Sequence, residues 1–161
     1  MFNQQFKNKF FIALAAVLIA VSACSNKPHE IHFGSDECAH CKMVIMDEEF
    51  ATQIVKKTGK AFKFDSIECL AAYTKEQQPK ATDQTLWVPD FATVEWVNAN
   101  DAFFVKSEVI KSPMGMGLLA FKSNEAANNH INQYPGKIIS WNELTGFEMK
   151  SHSETMNMMK H

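Results

Sequence analysis

The chain has 161 residues, of which 46% are hydrophobic, and a formal net charge of -2. This length allows one domain or two very small ones, and the hydrophobic content is ordinary for a globular protein. There is no basic stripe, so nucleic acid is not expected as a partner. No Ser/His/acid arrangement, glycine-rich phosphate loop or cofactor fingerprint is evident, so the chain is not expected to be an enzyme.

Residues 1–23 have the pattern of a lipoprotein signal peptide. A positively charged start is followed by the apolar run Phe10 to Ala20, which is too short to span a membrane as a helix. The run leads into Val21-Ser22-Ala23-Cys24, which resembles a bacterial lipobox. We therefore expect cleavage before Cys24 and acylation of that cysteine, which would anchor the chain to a membrane.

Residues 24–37 contain Pro28, Gly34 and scattered polar side chains, and they predict a tether that leads into a domain over 38–149. If Cys24 carries lipid, three cysteines remain, and the chain would lie in an oxidising compartment. A framework of structural disulfides would need an even number. At least one thiol is therefore free, transiently paired or bound to metal.

The six residues Cys38-Ala39-His40-Cys41-Lys42-Met43 concentrate the chemistry of the chain. Thiolate and thioether are soft ligands, which select Cu(I). The same residues leave alternatives open: Cys38 and Cys41 could be a redox pair or a disulfide that staples a loop. A zinc site from the three remaining cysteines and His40 is less well supported, because the motif has no second Cys pair.

Strand, turn and helix signals follow the motif. Strands are predicted over Phe50–Val55 and Ala61–Phe64, with Gly59 in the turn between them. A helix is predicted to begin at Asp65, which would cap it with Glu68 three residues on, and Cys69 lies in its first turns. Pro79 marks the expected end of this helix. Two further strand candidates are Thr85–Val88 and Phe91–Val97, with Pro89-Asp90 as the turn between them.

The second part of the chain repeats this order of elements. Its predicted elements are strands at Ala102–Val105 and Leu118–Phe121, a helix capped by Ser123 that runs to about Gln133, a strand at Lys137–Ser140 and a short closing segment from Trp141 to Met149. The stretches 63–70 and 120–127 look alike, since each joins a strand end to a polar cap and an acidic first turn. We therefore predict an α+β fold of two similar ββαβ-type halves, about 38–98 and 99–149, that pack together.

Two further segments carry methionine. The loop from Ser112 to Gly117 contains Pro113, Met114 and Met116, and its proline and glycines exclude regular structure. The tail over 150–161 has no helix cap and no apolar periodicity, so we predict it to be flexible. The potential copper ligands in the tail are His152, Met156, Met158, Met159 and His161.

Taken together, these residues resemble the NosL family of copper-binding lipoproteins that accompany the maturation of nitrous-oxide reductase in denitrification. The resemblance rests on the lipobox at Cys24, the Cys38–Met43 motif, the Phe50–Ile54 strand, Lys63–Cys69 and the Ser112-Pro113-Met114-Gly115 loop. These pieces cover most of the predicted domain in the same order.

The resemblance implies a Cu(I) metallochaperone. The lipobox predicts that it is anchored in the cell envelope and faces the periplasm, and Ser25 after the lipidated cysteine predicts the outer membrane. Its implied partners are an ATP-binding-cassette transporter complex and nitrous-oxide reductase. Cys41 and Met43 match the Cys-x-Met ligands of the family, and Met114 matches the Met of its Pro-Met-Gly loop. Cys38 is the further expected ligand, while His40, Cys69 and Met116 are possible additional ones. The competing hypothesis is an anchored thiol–disulfide oxidoreductase that uses Cys38 and Cys41.

Overall fold

A computed structural model describes residues 26–77 and 83–146 of the chain. Its first half starts with an antiparallel hairpin of β1 (Thr52–Lys56) and β2 (Ala61–Phe64), in which Thr52 faces Phe64. Gly59 has a φ of 84° in the turn between them, a conformation that glycine adopts without a steric cost. Helix α1 (Ile67–Gln77) follows, and then β3 (Gln84–Pro89) and β4 (Trp96–Asn98). The four strands form one antiparallel sheet in the order β2-β1-β3-β4.

The second half has the same plan. Strands β5 (Phe103–Ser107) and β6 (Leu118–Phe121) precede helix α2 (Asn124–Gln133) and strand β7 (Gly136–Ile139). These strands form an antiparallel sheet in the order β6-β5-β7, so the first strand is central, as β1 is between β2 and β3. The short helix α3 (Trp141–Gly146) comes last among the described elements.

The halves share a hydrophobic core, which explains why they pack together. Buried side chains of the first half, such as Ile54, Phe64 and Leu70, belong to one cluster with Phe104 and Ile139 of the second. A smaller cluster around Val105 packs the second sheet against α2. The predicted α+β fold of two similar ββαβ-type halves is confirmed.

The strand predicted over Phe91–Val97 is wrong for most of its length. Asp90 is buried, and its carboxylate accepts hydrogen bonds from the Thr93 hydroxyl (2.7 Å) and from the Lys122 backbone N–H (2.9 Å). The backbone N–H of Val94 also donates to the Asp90 carbonyl, at 2.7 Å, and Val94 has a φ of 61°. These contacts close a tight loop, so β4 begins only at Trp96.

Part of the predicted tether contacts the folded domain. Ile31 is buried, and the His29 backbone exchanges two hydrogen bonds with the Gln53 side chain, at 2.9 and 2.6 Å. The Trp87 indole N–H donates to the Asn26 carbonyl at 2.8 Å. Residues 26–37 therefore pack against the first sheet.

The signal peptide, Cys24, Pro79 and the Met/His tail lie outside the described residues, so the predictions on them stay predictions. Within 26–77 and 83–146, no helix has the length and apolar character needed to cross a membrane.

Candidate metal centre

The Cys38–Met43 motif forms a tight reversal of the chain. Glu37 and Val44 form an isolated antiparallel bridge, and the Cys38 N–H donates to the Met43 carbonyl at 2.8 Å. Lys42 has a φ of 67°, and its N–H donates to the Cys38 carbonyl at 3.1 Å. The Ala39 N–H donates to the carbonyl of Lys63 in β2 at 2.8 Å. The loop is thus held against the strand that leads into α1.

The start of α1 supplies the other side of the centre. The predicted cap at Asp65 is wrong: the helix begins at Ile67, and the Ser66 hydroxyl accepts from the Cys69 N–H at 3.3 Å. Serine before the first helical residue is a favoured cap. Because Ser66 caps the helix, the Asp65 carboxylate is free to face the motif, where one of its oxygens accepts from the Cys41 thiol at 3.3 Å.

Four side chains meet between the loop and the helix. The Sγ atoms of Cys38, Cys41 and Cys69 and a carboxylate oxygen of Asp65 all lie within 4.8 Å of one another. All three cysteines are free thiols. Cys41 is partly exposed and the other three residues are buried. Three soft sulfurs and one oxygen can therefore hold a metal ion that enters from the side of Cys41.

The three thiols of the cluster differ in their pKa. The hydrogen bond from the Cys69 thiol lowers the pKa of Cys38 to about 6, and backbone N–H groups of Asp65, Cys41 and His40 act in the same direction. Burial raises the pKa of Cys41 to about 12. The pKa of Cys69 is raised, first by its bond to Cys38 and then by burial. Cys38 is therefore the sulfur that most readily carries the negative charge.

The Cys38/Cys41 pair directly precedes no helix in the chain, but in the structure it lies beside the start of α1. The backbone N–H of Asp65, just before α1, contributes to lowering the pKa of Cys38. A helix N-terminus favours thiolate, and here it is brought to the motif from elsewhere in the chain.

The methionine loop of the second half contacts the first turn of α1. The Ser112 hydroxyl donates to the carboxylate of Glu68 in α1, and the Gly117 N–H donates to the Ser112 hydroxyl at 2.9 Å. Both Glu68 and Ser112 are buried. Met114 is partly buried and packs against the same core cluster as the three cysteines. The Glu68–Ser112 contact therefore fastens this loop beside Cys69.

The remaining predicted ligands lie around the cluster in different settings. The Met43 side chain is 46% exposed. Met116, like Met114, packs against the shared core. His40 Nδ1 lies 3.6 Å from Glu76 Oε2, and His40 is not one of the four clustered residues. The structure thus brings Cys69 together with Cys38 and Cys41, and it turns His40 towards the last turn of α1.

Asp65 is the residue of the centre that the sequence interpretation misassigned. The likeness between residues 63–70 and 120–127 could have identified the true cap, because Ser66 matches Ser123, which was correctly predicted to cap α2. The Ser123 hydroxyl accepts from the Ala126 N–H at 3.1 Å, as the Ser66 hydroxyl does from Cys69. Applying that match to the first half would have left Asp65 available for the site.

The chain is similar to known proteins in both sequence and structure. A family model described as NosL matches residues 28–149. The crystal structure of the copper chaperone NosL from Shewanella denitrificans is similar, with a TM-score of 0.63 and 24% sequence identity. That match covers 74% of this chain and 96% of the other. At this identity the match supports the fold. No curated protein matches the chain.

Proposed function

Since the chain belongs to the NosL family, we propose that it is a Cu(I)-binding metallochaperone that delivers copper for the maturation of nitrous-oxide reductase. The observation that carries the proposal is the meeting of three free thiols, together with a methionine-bearing loop whose Ser112 is hydrogen-bonded to Glu68, the residue before Cys69. Thiolate and thioether sulfurs favour Cu(I) over harder ions. The proposed role is binding and transfer of the ion rather than catalysis.

Cys41, Met43 and Met114, with Cys38 as a further thiolate, are the proposed ligands. Thiolate supplies charge and affinity, while the two thioethers are neutral and weaker. A partner's ligands can therefore displace the thioethers one at a time. Cys69 and Met116 are candidates for additional contacts, because the first lies in the cluster and the second belongs to the same loop as Met114 and packs against the shared core.

The exposure of the side chains suggests the direction of transfer. Cys38 and Cys69 are completely buried, whereas Cys41 is partly exposed and Met43 is 46% exposed. The ion would then enter and leave past Met43 and Cys41. A site with one open side releases its cargo more readily than a closed four-ligand cage.

The remaining parts of the proposal concern location and partners. Acylation at Cys24 would anchor the protein in the cell envelope, facing the periplasm, with the outer membrane as the proposed site. Its partners would be an ATP-binding-cassette transporter complex and nitrous-oxide reductase. These follow from family membership and from the sequence pattern around Cys24.

An anaerobic Cu(I) titration against a competing chelator tests the proposal on protein that starts after Cys24. We expect tight stoichiometric binding by wild type and at least about 100-fold weaker binding by Cys41→Ala, because loss of even an outer-shell partner of a metal ligand costs roughly 10- to 100-fold. Met43→Ala should weaken binding by a smaller factor. Met46→Ala is the matched control, because Met46 is 64% exposed in the same segment and is not a proposed ligand.

Binding by reduced wild type no tighter than the chelator background would refute the copper proposal. The competing oxidoreductase hypothesis gains support from the lowered pKa of Cys38, but this sulfur is buried away from a protein substrate. Rapid reduction of a model disulfide, at the same rate in Met43→Ala, would favour the oxidoreductase.

A further inference from the structure

The centre contains more reducing groups than a carrier of Cu(I) needs. Three thiols lie within 4.8 Å of one another together with the Asp65 carboxylate. We propose that the protein also takes up Cu(II) and reduces it, with Cys38 and Cys69 becoming a disulfide. This inference rests on the proposed copper binding and adds a redox activity to it.

The contact between the two buried sulfurs identifies the reducing pair. The Sγ atoms of Cys38 and Cys69 lie within 4.8 Å of each other, and both residues are completely buried. Two adjacent thiols that are shielded from solvent and from other chains can form a disulfide with each other when an oxidant reaches them. Hydrogen bonds fix the backbone at both residues. The Cys69 N–H, in the first turn of α1, donates to the Ser66 hydroxyl, and the N–H and carbonyl of Cys38 are bonded to Met43 and Lys42. Cys41, which faces the open side, remains available for the ion.

The Asp65 carboxylate gives the centre an oxygen that a site built for Cu(I) alone does not require. One oxygen accepts from the Cys41 thiol at 3.3 Å, and the other, Oδ1, is buried without a hydrogen-bond partner. Oxygen ligands suit Cu(II), whereas thiolate and thioether suit Cu(I). Asp65 and Cys41 can therefore receive Cu(II), and Cys41 with Met43 and Met114 can hold the reduced ion.

The electrons balance over two copper ions. The Cys38 thiolate and the Cys69 thiol give one electron to a first Cu(II) and release the Cys69 proton, which leaves the two sulfurs sharing an unpaired electron. That electron passes to a second Cu(II), and the S–S bond is complete. Two Cu(II) become two Cu(I), of which one stays with Cys41 and the other leaves.

The test is the addition of two equivalents of Cu(II) sulfate to the reduced, purified protein without oxygen. Absorbance of a Cu(I)-specific chelator counts the Cu(I), a thiol reagent counts the remaining thiols, and peptide mapping by mass spectrometry locates the disulfide. We expect two Cu(I) per chain and a linkage between Cys38 and Cys69. A linkage that includes Cys41, or one between chains, would overturn the proposal.

Two variants separate this inference from the copper-binding proposal. Cys69→Ser should lose the intramolecular disulfide and reduce Cu(II) at least about tenfold more slowly, and binding of directly supplied Cu(I) is measured separately on wild type. Asp65→Asn should slow the reduction by about 10-fold or more, the scale of the loss when a group supporting a metal site is removed. If wild type binds supplied Cu(I) but Cys69→Ser reduces Cu(II) as fast as wild type, reductive capture is refuted and the copper-binding proposal stands.

Discussion

The two halves of the molecule have the same topology, and the candidate metal centre occurs in the first. Strand β1 is flanked by β2 and β3 as β5 is by β6 and β7, and a serine caps each helix. At matching positions the first half has Asp65 and Cys69, and the second has Lys122 and Ala126. Lys122 is solvent-exposed and pairs with Glu95 at 2.7 Å. The same helix start can thus serve as a site or as an ordinary surface, depending on two side chains.

A second difference lies in what precedes each half. Residues 26–51 lead into β1 and place two cysteines over the start of α1, whereas four residues join β4 to β5. In the second half the loop after Pro89 contacts the residue before the helix cap through Asp90 and Lys122, but it brings no cysteine, and Asn124 and Glu125 at the start of α2 are exposed. The comparison teaches that the repeated unit provides the scaffold and that the added segment completes the site.

The largest predicted effect tests whether the halves depend on each other. Phe64 and Phe121 occupy matching strand ends and are both buried. Each replacement by Ala should lower the free energy of unfolding by about 3–5 kcal/mol. Because the main core contains residues of both halves, each variant should still unfold in one transition, measured in urea by circular dichroism and tryptophan fluorescence. Separate transitions for the two probes would mean that the halves are independent.

Much of this comparison was predictable from the sequence, because strands, turns and caps are local signals. The likeness of 63–70 to 120–127 correctly indicated the repeated ββαβ order. The loop after Pro89 was not predictable from alternation, since the buried Asp90 contacts Lys122, which is distant in sequence. Cys69 was predicted only as a possible additional ligand for the same reason: its approach to the Cys38 loop depends on how that loop packs on β2 and α1.

The second prediction concerns the loop that connects the second half to the centre. A Cβ on Gly117 would lie 2.5 Å from the Ile110 carbonyl oxygen and 2.6 Å from that of Ser107, and φ is +71°. Gly117→Ala should therefore cost about 3 kcal/mol or more in the free energy of unfolding and weaken Cu(I) binding by displacing Met114.

Gly115→Ala is the matched control for the loop. Gly115 has a φ of +81°, but a Cβ there would have no atom within 4 Å. The expected cost is about 1 kcal/mol, from the left-handed backbone alone. Thermal or urea unfolding of both variants provides the comparison. Equal costs would mean that the close approach of Gly117 to its neighbours has no energetic role.

The third prediction compares the two caps. Ser66→Ala and Ser123→Ala should each lower the free energy of unfolding by about 1 kcal/mol, as urea denaturation would show. The Ser66 change should also weaken Cu(I) binding, because the Ser66 hydroxyl is bonded to the N–H of Cys69. The Ser123 hydroxyl accepts from the Ala126 N–H, at 3.1 Å, and Ala126 is not part of the site. A change of copper affinity in Ser123→Ala would therefore contradict the assignment of the site to the first half.

The smallest predicted effect is a pH dependence of opposite sign in the two halves. Burial raises the pKa of Glu68 above 4.5, so its stabilising contribution is present below pH 4.5 and is lost as pH rises through the folded-state pKa. Burial lowers the pKa of His130 below 6.5, so its contribution is present above pH 6.5 and is lost as pH falls through the folded-state value. Each side chain has one buried atom without a hydrogen-bond partner, Oε2 and Nε2 respectively.

Two substitutions, each of which removes one titratable side chain, separate the contributions of Glu68 and His130 to the pH dependence of stability. Glu68→Gln retains an oxygen that can accept from Ser112, and His130→Phe retains an aromatic ring beside Phe121 and Tyr134. Urea unfolding between pH 4 and 8 should show that Glu68→Gln removes the loss of stability on the alkaline side of pH 4.5. His130→Phe should remove the loss on the acidic side of pH 6.5. If neither variant changes the pH profile, burial does not shift the pKa of Glu68 or His130, and the inferred pH dependence of opposite sign in the two halves is wrong.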